Sequence, residues 1–122
     1  MEMILKRFIF LFLLSFFLQI PPIHASQSDK ILLFVTSEYC IYCKAWERDV
    51  GTVYQKSAYN KHAILKRLDI SSTQYKQIAF QKPIRGTPTF VILKDSAEIG
   101  RIEGYHDADQ FFWQLSEYIK LD

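Results

Sequence analysis

The only two cysteines of this 122-residue chain lie where an apolar run gives way to a helical pattern. The run, Ile31 to Val35, is uninterrupted, which is typical of a central strand buried on both faces. Cys40 and Cys43 follow it, and a helical spacing of apolar residues starts at Ala45. Free N–H groups and aligned peptide dipoles at a helix start favour negative charge, so a cysteine there is easier to deprotonate. The pattern predicts a strand, a turn and a helix, with a reactive Cys40 at the helix start and Cys43 one turn along.

The close spacing of the two cysteines favours redox chemistry. A structural disulfide stabilises most when it closes a long loop, and this pair encloses only two residues. A structural zinc needs four ligands, and His62 and His106 are the only histidines beyond the N-terminal segment. We expect thiol–disulfide exchange, with half of a metal site or a bare structural disulfide as the alternatives.

Residues 1–25 have the pattern of a secretory signal peptide. A short basic stretch precedes an apolar run over 8–18, and Ala25 places a small residue before a cleavage point. Its removal leaves a single domain over 26–122, exported to the bacterial periplasm. The alternative is an uncleaved membrane anchor, although the apolar run is shorter than the about 20 residues that a spanning helix needs.

The remaining patterns predict the element order β-α-β-α-β-β-α. In chain order we expect a strand over 31–35, a helix over 45–56, a polar connector over 57–62, a strand over 63–70, a short helix over 71–80, strands over 89–93 and 98–103, and a final helix capped by Asp107 or Asp109. A strand–helix–strand unit joins parallel strands, whereas the tight turn over 94–97 joins antiparallel ones. The predicted fold is therefore α/β, with a four-stranded mixed sheet and helices on both faces.

The charge pattern argues against some classes of partner. The 15 Lys and Arg nearly balance the 13 Asp and Glu, and the two signs are interspersed. Binding to nucleic acid or to an anionic membrane surface relies on a basic patch, so we expect neither. The chain carries no cofactor-binding motif, and we expect no cofactor.

Two separated motifs resemble the thioredoxin superfamily. The first, Ser37–Lys44, reads SEYCIYCK, and the second, Ile84–Thr89, reads IRGTPT before an apolar strand. The resemblance implies a minimal thioredoxin fold for nearly all of residues 26–122. Trp46 and the segment Gly100–Tyr105 bring the chain closer to the small periplasmic thioredoxin-like proteins of sulfur-oxidation (Sox) gene clusters, of the SoxS type.

Cys40 is expected to be the nucleophile and Cys43 the resolving thiol, because Cys40 begins the helix and Cys43 lies one turn in. Three features depart from ordinary thioredoxin. The dipeptide between the cysteines is Ile-Tyr and not Gly-Pro, so the reduction potential does not carry over. Phe34 stands where thioredoxin has a buried acid, so the chain lacks that proton acceptor for the second cysteine. The first strand and helix of full-length thioredoxin are also missing.

The substrate-binding residues follow partly from the resemblance. It implies that Pro88 is cis and lies opposite Cys40, with the backbone of Thr87 free to pair with an extended substrate strand. Tyr39 and Tyr42 flank the thiols, and we expect them to line a substrate groove. An ordinary strand-initiating proline is the alternative for Pro88, and exposed loop tyrosines without a role are the alternative for the other two.

The sequence thus predicts a periplasmic thiol–disulfide oxidoreductase that acts on protein substrates as a monomer. The resemblance favours a reductase that keeps a partner cysteine active, such as that of a sulfur-carrier protein. A membrane electron donor would re-reduce the pair. One alternative is a copper or zinc chaperone that uses the same two thiolates. Another is a binding module whose disulfide only stabilises a loop.

Overall fold

The computed structural model describes residues 1–7 and 28–121. Most of the predicted signal peptide lies outside these ranges, and its cleavage stays a prediction. Within the same two ranges, no helix combines the length and the apolar character that a membrane crossing requires.

The described residues 28–121 contain four strands, five helices and a π-helical segment. In chain order they are β1 (Lys30–Thr36), α1 (Ile41–Trp46), a π-helical segment (Glu47–Gly51), α2 (Thr52–Tyr54), α3 (Ala58–His62), β2 (Ala63–Asp69), α4 (Thr73–Lys76), β3 (Thr89–Lys94), β4 (Ala97–Glu103) and α5 (Ala108–Ser116). The strands form one sheet in the order β2-β1-β3-β4. β1 pairs with β2 in parallel and with β3 antiparallel, and β3 pairs antiparallel with β4. The predicted mixed α/β fold is confirmed.

The side chains of β1 alternate between two apolar cores, one on each face of the sheet. Leu32 and Phe34 belong to the core that also contains both cysteines, which we call the site face. Leu33 and Val35 belong to a smaller core on the opposite side, which we call the far face. Buried residues of α1 and α5 pack on the site face, whereas Tyr75 of α4 packs on the far face. Helices therefore cover both faces, as expected for the predicted fold.

Three predicted boundaries are wrong. The helix predicted over 45–56 begins earlier, at Ile41, directly after the cap residue Cys40. The predicted polar connector over 57–62 contains a short helix, α3, between Ser57 and β2. The helix predicted over 71–80 ends at Lys76. Phe80 packs on the far face with its ring 5.4 Å from that of Tyr75. Tertiary contacts thus override the local helical pattern.

One predicted turn and one predicted helix cap agree with the structure. The turn between β3 and β4 places Asp95 and Ser96 at φ 49° and 67°, the left-handed conformation of tight hairpin turns. Asp107 and not Asp109 caps α5, since its side chain accepts a hydrogen bond from the Gln110 N–H at 2.8 Å.

Candidate active site

Cys40 is the N-cap residue of α1 and forms a disulfide with Cys43. Its backbone is extended, and its Sγ accepts a hydrogen bond from the Cys43 N–H at 3.1 Å. The Cys40 N–H in turn donates to the Ser37 carbonyl at 3.2 Å, which closes the turn between β1 and α1. The sulfur of Cys40 therefore lies among the free N–H groups of a helix start, where a thiolate is stabilised.

The two cysteines differ in their access to solvent. Cys40 is 9% exposed and Cys43 only 2%. Around them, Tyr39, Ile41 and Tyr42 are 86%, 69% and 57% exposed. An incoming sulfur atom therefore meets Cys40 first, with large apolar side chains on either side of it.

The second motif forms a loop directly before β3. The Thr87–Pro88 peptide bond is cis, and Pro88 is buried while Thr87 is half-buried. Two hydrogen bonds hold this loop: the Gly104 N–H donates to the Pro88 carbonyl at 2.8 Å, and Thr89 Oγ1 donates to the Gly86 carbonyl at 2.7 Å. A groove of about 280 Å³ lies beside it, lined by Arg85, Gly86, Thr87, Pro88, Thr89, Glu103 and Gly104.

A side-chain hydrogen bond joins the two motifs. Ser37 Oγ and Thr87 Oγ1 lie 2.9 Å apart although 50 residues separate them in the chain. The structure thus brings the cysteine loop, with Tyr39 and Tyr42, next to the loop of Thr87 and Pro88. The two tyrosines do not line the groove beside Pro88. Sequence reasoning gave Ser37 no role, and a hydroxyl residue in each motif was the only sign of this contact.

The interior behind the disulfide is aromatic. Phe34 stands where the resemblance to thioredoxin would lead one to expect a buried acid, and it is fully buried. The centroid of its ring lies 4.5 Å from that of Trp46 and 5.0 Å from that of Phe90. Trp46 in turn packs 5.5 Å from Phe111 of α5. This packing fixes α1, and with it the position of Cys43, against the centre of the sheet.

A hydrogen bond between a tyrosine and an aspartate joins the π-helical segment to the loop after β4. The Tyr105 hydroxyl donates to Asp49 Oδ2 at 2.9 Å. A hydrogen bond from Arg48, then the one from Tyr105, hold the pKa of Asp49 below its ordinary value. Burial, then the bond to Asp49, raises the pKa of Tyr105 to about 12. The contact therefore links the loop of Gly104, whose N–H donates to the Pro88 carbonyl, to the segment that follows the cysteine helix.

Other places offer less for catalysis. A groove of about 760 Å³ beside β4 includes none of the six predicted site residues. In the two described ranges, no group of three or more His, Cys, Asp or Glu side chains is arranged to hold a metal ion.

Comparison with known protein families shows which family this chain belongs to. A family model described as a thioredoxin-like domain matches residues 23–119. The chain belongs to the thioredoxin-like family. It is a thioredoxin-like disulfide oxidoreductase with a Cys40–Cys43 pair, as the sequence predicted.

Similar proteins support the same assignment. A protein named disulfide bond formation protein, from Brevibacillus choshinensis, is 29% identical over 80 residues. The match covers 66% of this chain and 65% of that protein, so this chain spans just under two thirds of its relative's length. The periplasmic thioredoxin SoxS from Paracoccus pantotrophus, in its reduced form, is 28% identical with a TM-score of 0.68, covering 73% of this chain and 94% of SoxS. A mutant thioredoxin from Halobacterium salinarum, 24% identical with a TM-score of 0.60 over 80% of each chain, shares the fold.

Proposed function

We propose that this thioredoxin-like protein reduces disulfides of exported protein substrates, with Cys40 as the attacking thiol and Cys43 as the resolving thiol. The observation that carries the proposal is the placement of Cys40. Its sulfur caps α1 and accepts the Cys43 N–H, while Cys43 lies behind it in the core. A helix start lowers the pKa of a thiol, so Cys40 is the member of the reduced pair that is deprotonated first.

The exchange proceeds in two balanced steps. The Cys40 thiolate attacks one sulfur of the substrate disulfide, which forms a mixed disulfide and releases the other substrate sulfur as a thiolate. Cys43 loses its proton to solvent and attacks Cys40 Sγ, which forms the Cys40–Cys43 disulfide and releases the second substrate thiolate. Both released thiolates take up protons according to their own pKa. Two electrons pass from the protein to the substrate, and the pair is left in the oxidised form that the structure shows.

The groove beside the second loop suits an extended substrate strand. The β3 ladder begins at Thr89, so the Thr87 peptide lies outside it. A substrate strand that pairs with the Thr87 backbone over Pro88 runs past the neighbouring cysteine loop. The exposed rings of Tyr39 and Tyr42 then offer apolar contacts to residues beside the substrate cysteine.

We also propose a periplasmic location and a reducing direction. The N-terminal pattern of a signal peptide supports export. Similarity to SoxS, described as a periplasmic thioredoxin, supports both points. The substrate is then a partner cysteine that must stay reduced, such as that of a sulfur-carrier protein. A membrane electron donor re-reduces the pair, and the protein acts as a monomer.

Equilibration of residues 26–122 with glutathione or dithiothreitol buffers tests the proposal. A potential of the Cys40–Cys43 pair near that of thioredoxin, about −270 mV, supports a reductase. A potential near about −120 mV identifies an oxidant and contradicts the reducing direction. Absence of exchange contradicts an oxidoreductase, and Cu(I) or zinc binding by the reduced pair then favours the metal chaperone. A Cys40→Ser, Cys43→Ser variant with full biological activity indicates a binding module.

A further inference from the structure

The contact between Ser37 and Thr87 stands out among the hydrogen bonds of the site. Ser37 lies in the turn between β1 and α1, and Thr87 directly precedes the cis proline. Their hydroxyl oxygens are 2.9 Å apart, and both residues are half-buried. Among residues 28–121, this is the one side-chain hydrogen bond between the cysteine loop and the loop before β3.

Ser37 is bonded to both halves of the site at once. Its carbonyl accepts the Cys40 N–H at 3.2 Å, while its hydroxyl bonds Thr87. The other bonds of the Thr87 loop run away from the cysteines, from Thr89 Oγ1 to Gly86 and from Gly104 to Pro88. Loss of the Ser37 hydroxyl therefore leaves the Thr87 loop with only these two bonds, neither of which involves the cysteine loop.

We propose that Ser37 is a positioning residue that sets the distance between the substrate strand and the sulfur of Cys40, acting through Thr87. This inference rests on the proposed exchange reaction and names a further residue in it. Threonine is branched at Cβ, so fixing its hydroxyl also restricts χ1 and the backbone beside it. That backbone is the proposed pairing edge for the substrate. Attack on a disulfide requires close alignment of the sulfurs, and a small displacement of a bound substrate slows it strongly.

The proposal predicts a split between large and small substrates. A protein disulfide pairs with the Thr87 backbone and depends on its position. Glutathione disulfide reaches Cys40 without such a strand. The Ser37→Ala variant should therefore lose about fivefold in kcat/KM toward the disulfides of insulin, the factor expected for one net hydrogen bond. Its exchange rate with glutathione disulfide and its reduction potential should match those of the wild type.

The experiment compares four proteins: wild type, Ser37→Ala, Thr87→Val and the double variant. Because the two side chains act through one bond, the double variant should lose no more than the larger single loss. Ser37→Thr, which keeps a hydroxyl, should retain most of the activity. Ser57→Ala is a matched control, since it removes a half-buried serine hydroxyl bonded only to the Tyr54 carbonyl, and it should leave both rates unchanged.

Several outcomes overturn the proposal. Equal losses toward insulin and glutathione disulfide, a changed reduction potential, additive losses in the double variant, or wild-type kinetics of Ser37→Ala each contradict it. Should Ser37→Ala fail to fold, Thr87→Val against Thr87→Ser makes the same comparison from the other side of the bond. A wild-type protein that exchanges with neither disulfide contradicts the proposed function itself, which separates the two failures.

Discussion

The two faces of the sheet achieve their packing in different ways. On the site face, Trp46 is surrounded by Phe34, Phe90 and Phe111, with ring centroids 4.5 to 5.5 Å apart. On the far face, a short helix and an irregular segment lie over a core with few buried side chains. There Arg101 binds the carbonyls of Lys82 and Pro83 and pairs with Glu98. The comparison indicates that the cysteine helix is held by apolar packing, whereas the approach to the cis proline is held by polar bonds.

The largest expected effect is on the site face. Trp46→Ala should lower the free energy of unfolding by about 3–5 kcal/mol, because it opens a large cavity among aromatic rings. Leu33→Ala, on the far face, should cost about 2 kcal/mol. Urea denaturation of both variants measures the difference. Trp46→Phe is the control, and its cost should be far smaller because the buried Trp46 Nε1 has no hydrogen-bond partner in the described structure. Equal losses for Trp46→Ala and Leu33→Ala would contradict the comparison.

A second prediction concerns the polar bonds that Arg101 makes on the far face, to Glu98 and to the two backbone carbonyls. The side chains of Arg101 and Glu98 are only 9% and 10% exposed, and their nearest atoms lie 2.8 Å apart. Arg101→Met should cost about 2 kcal/mol, since it leaves a carboxylate and two carbonyls without their donor. Limited proteolysis should then cut within residues 81–85 faster than in the wild type. Addition of Glu98→Leu should recover part of the stability, and a further loss on that addition would argue against the pair as the cause.

A third prediction tests how closely the side chains pack on the site face at Gly100. A Cβ at Gly100 of β4 would overlap the ring of Tyr118. Gly100→Ala should therefore cost about 1–2 kcal/mol, because the ring must move out of its place. Thermal unfolding measures the loss. Gly86→Ala is the matched control, since open space surrounds that position, and it should change stability less. A loss at Gly100 that is as small as the one at Gly86 would show that the ring of Tyr118 moves aside without cost.

The smallest effect is expected from the bond between Tyr105 and Asp49. The folded state raises the pKa of Tyr105 from 10.0 to about 12. A raised pKa means that the contribution of Tyr105 to stability is complete below pH about 10 and is lost as the pH rises toward 12. Tyr105→Phe should flatten the stability curve in that window, measured by urea denaturation at stepped pH. Asp49→Asn should lower the Tyr105 pKa, seen by ultraviolet titration, and an unchanged titration would rule out the bond as a cause.

Local signals in the sequence were enough to predict the framework. The uninterrupted run before Cys40 predicts the central strand because a short run of this kind is typical of a strand buried on both faces. The cap at Asp107 and the turn at Asp95 and Ser96 follow from residues that satisfy backbone groups within a few positions. These features depend on short-range chemistry, which sequence spacing records directly.

The features that sequence reasoning missed depend on residues far apart in the chain. α3 forms where the local pattern predicts a connector, and its Tyr59 packs against the site face. α4 ends early, and Phe80 beyond it packs on the far face. In both places the local helical propensity is weak, and packing on the sheet decides the outcome. The bond between Ser37 and Thr87 and the hydrogen bonds of Arg101 exist only once the strands are in register. The sequence by itself determined the strand order along the chain, the cysteine pair and the motif before β3. The tertiary structure alone decided which loops touch, because a hydrogen bond across 50 residues requires the whole sheet to bring its partners together.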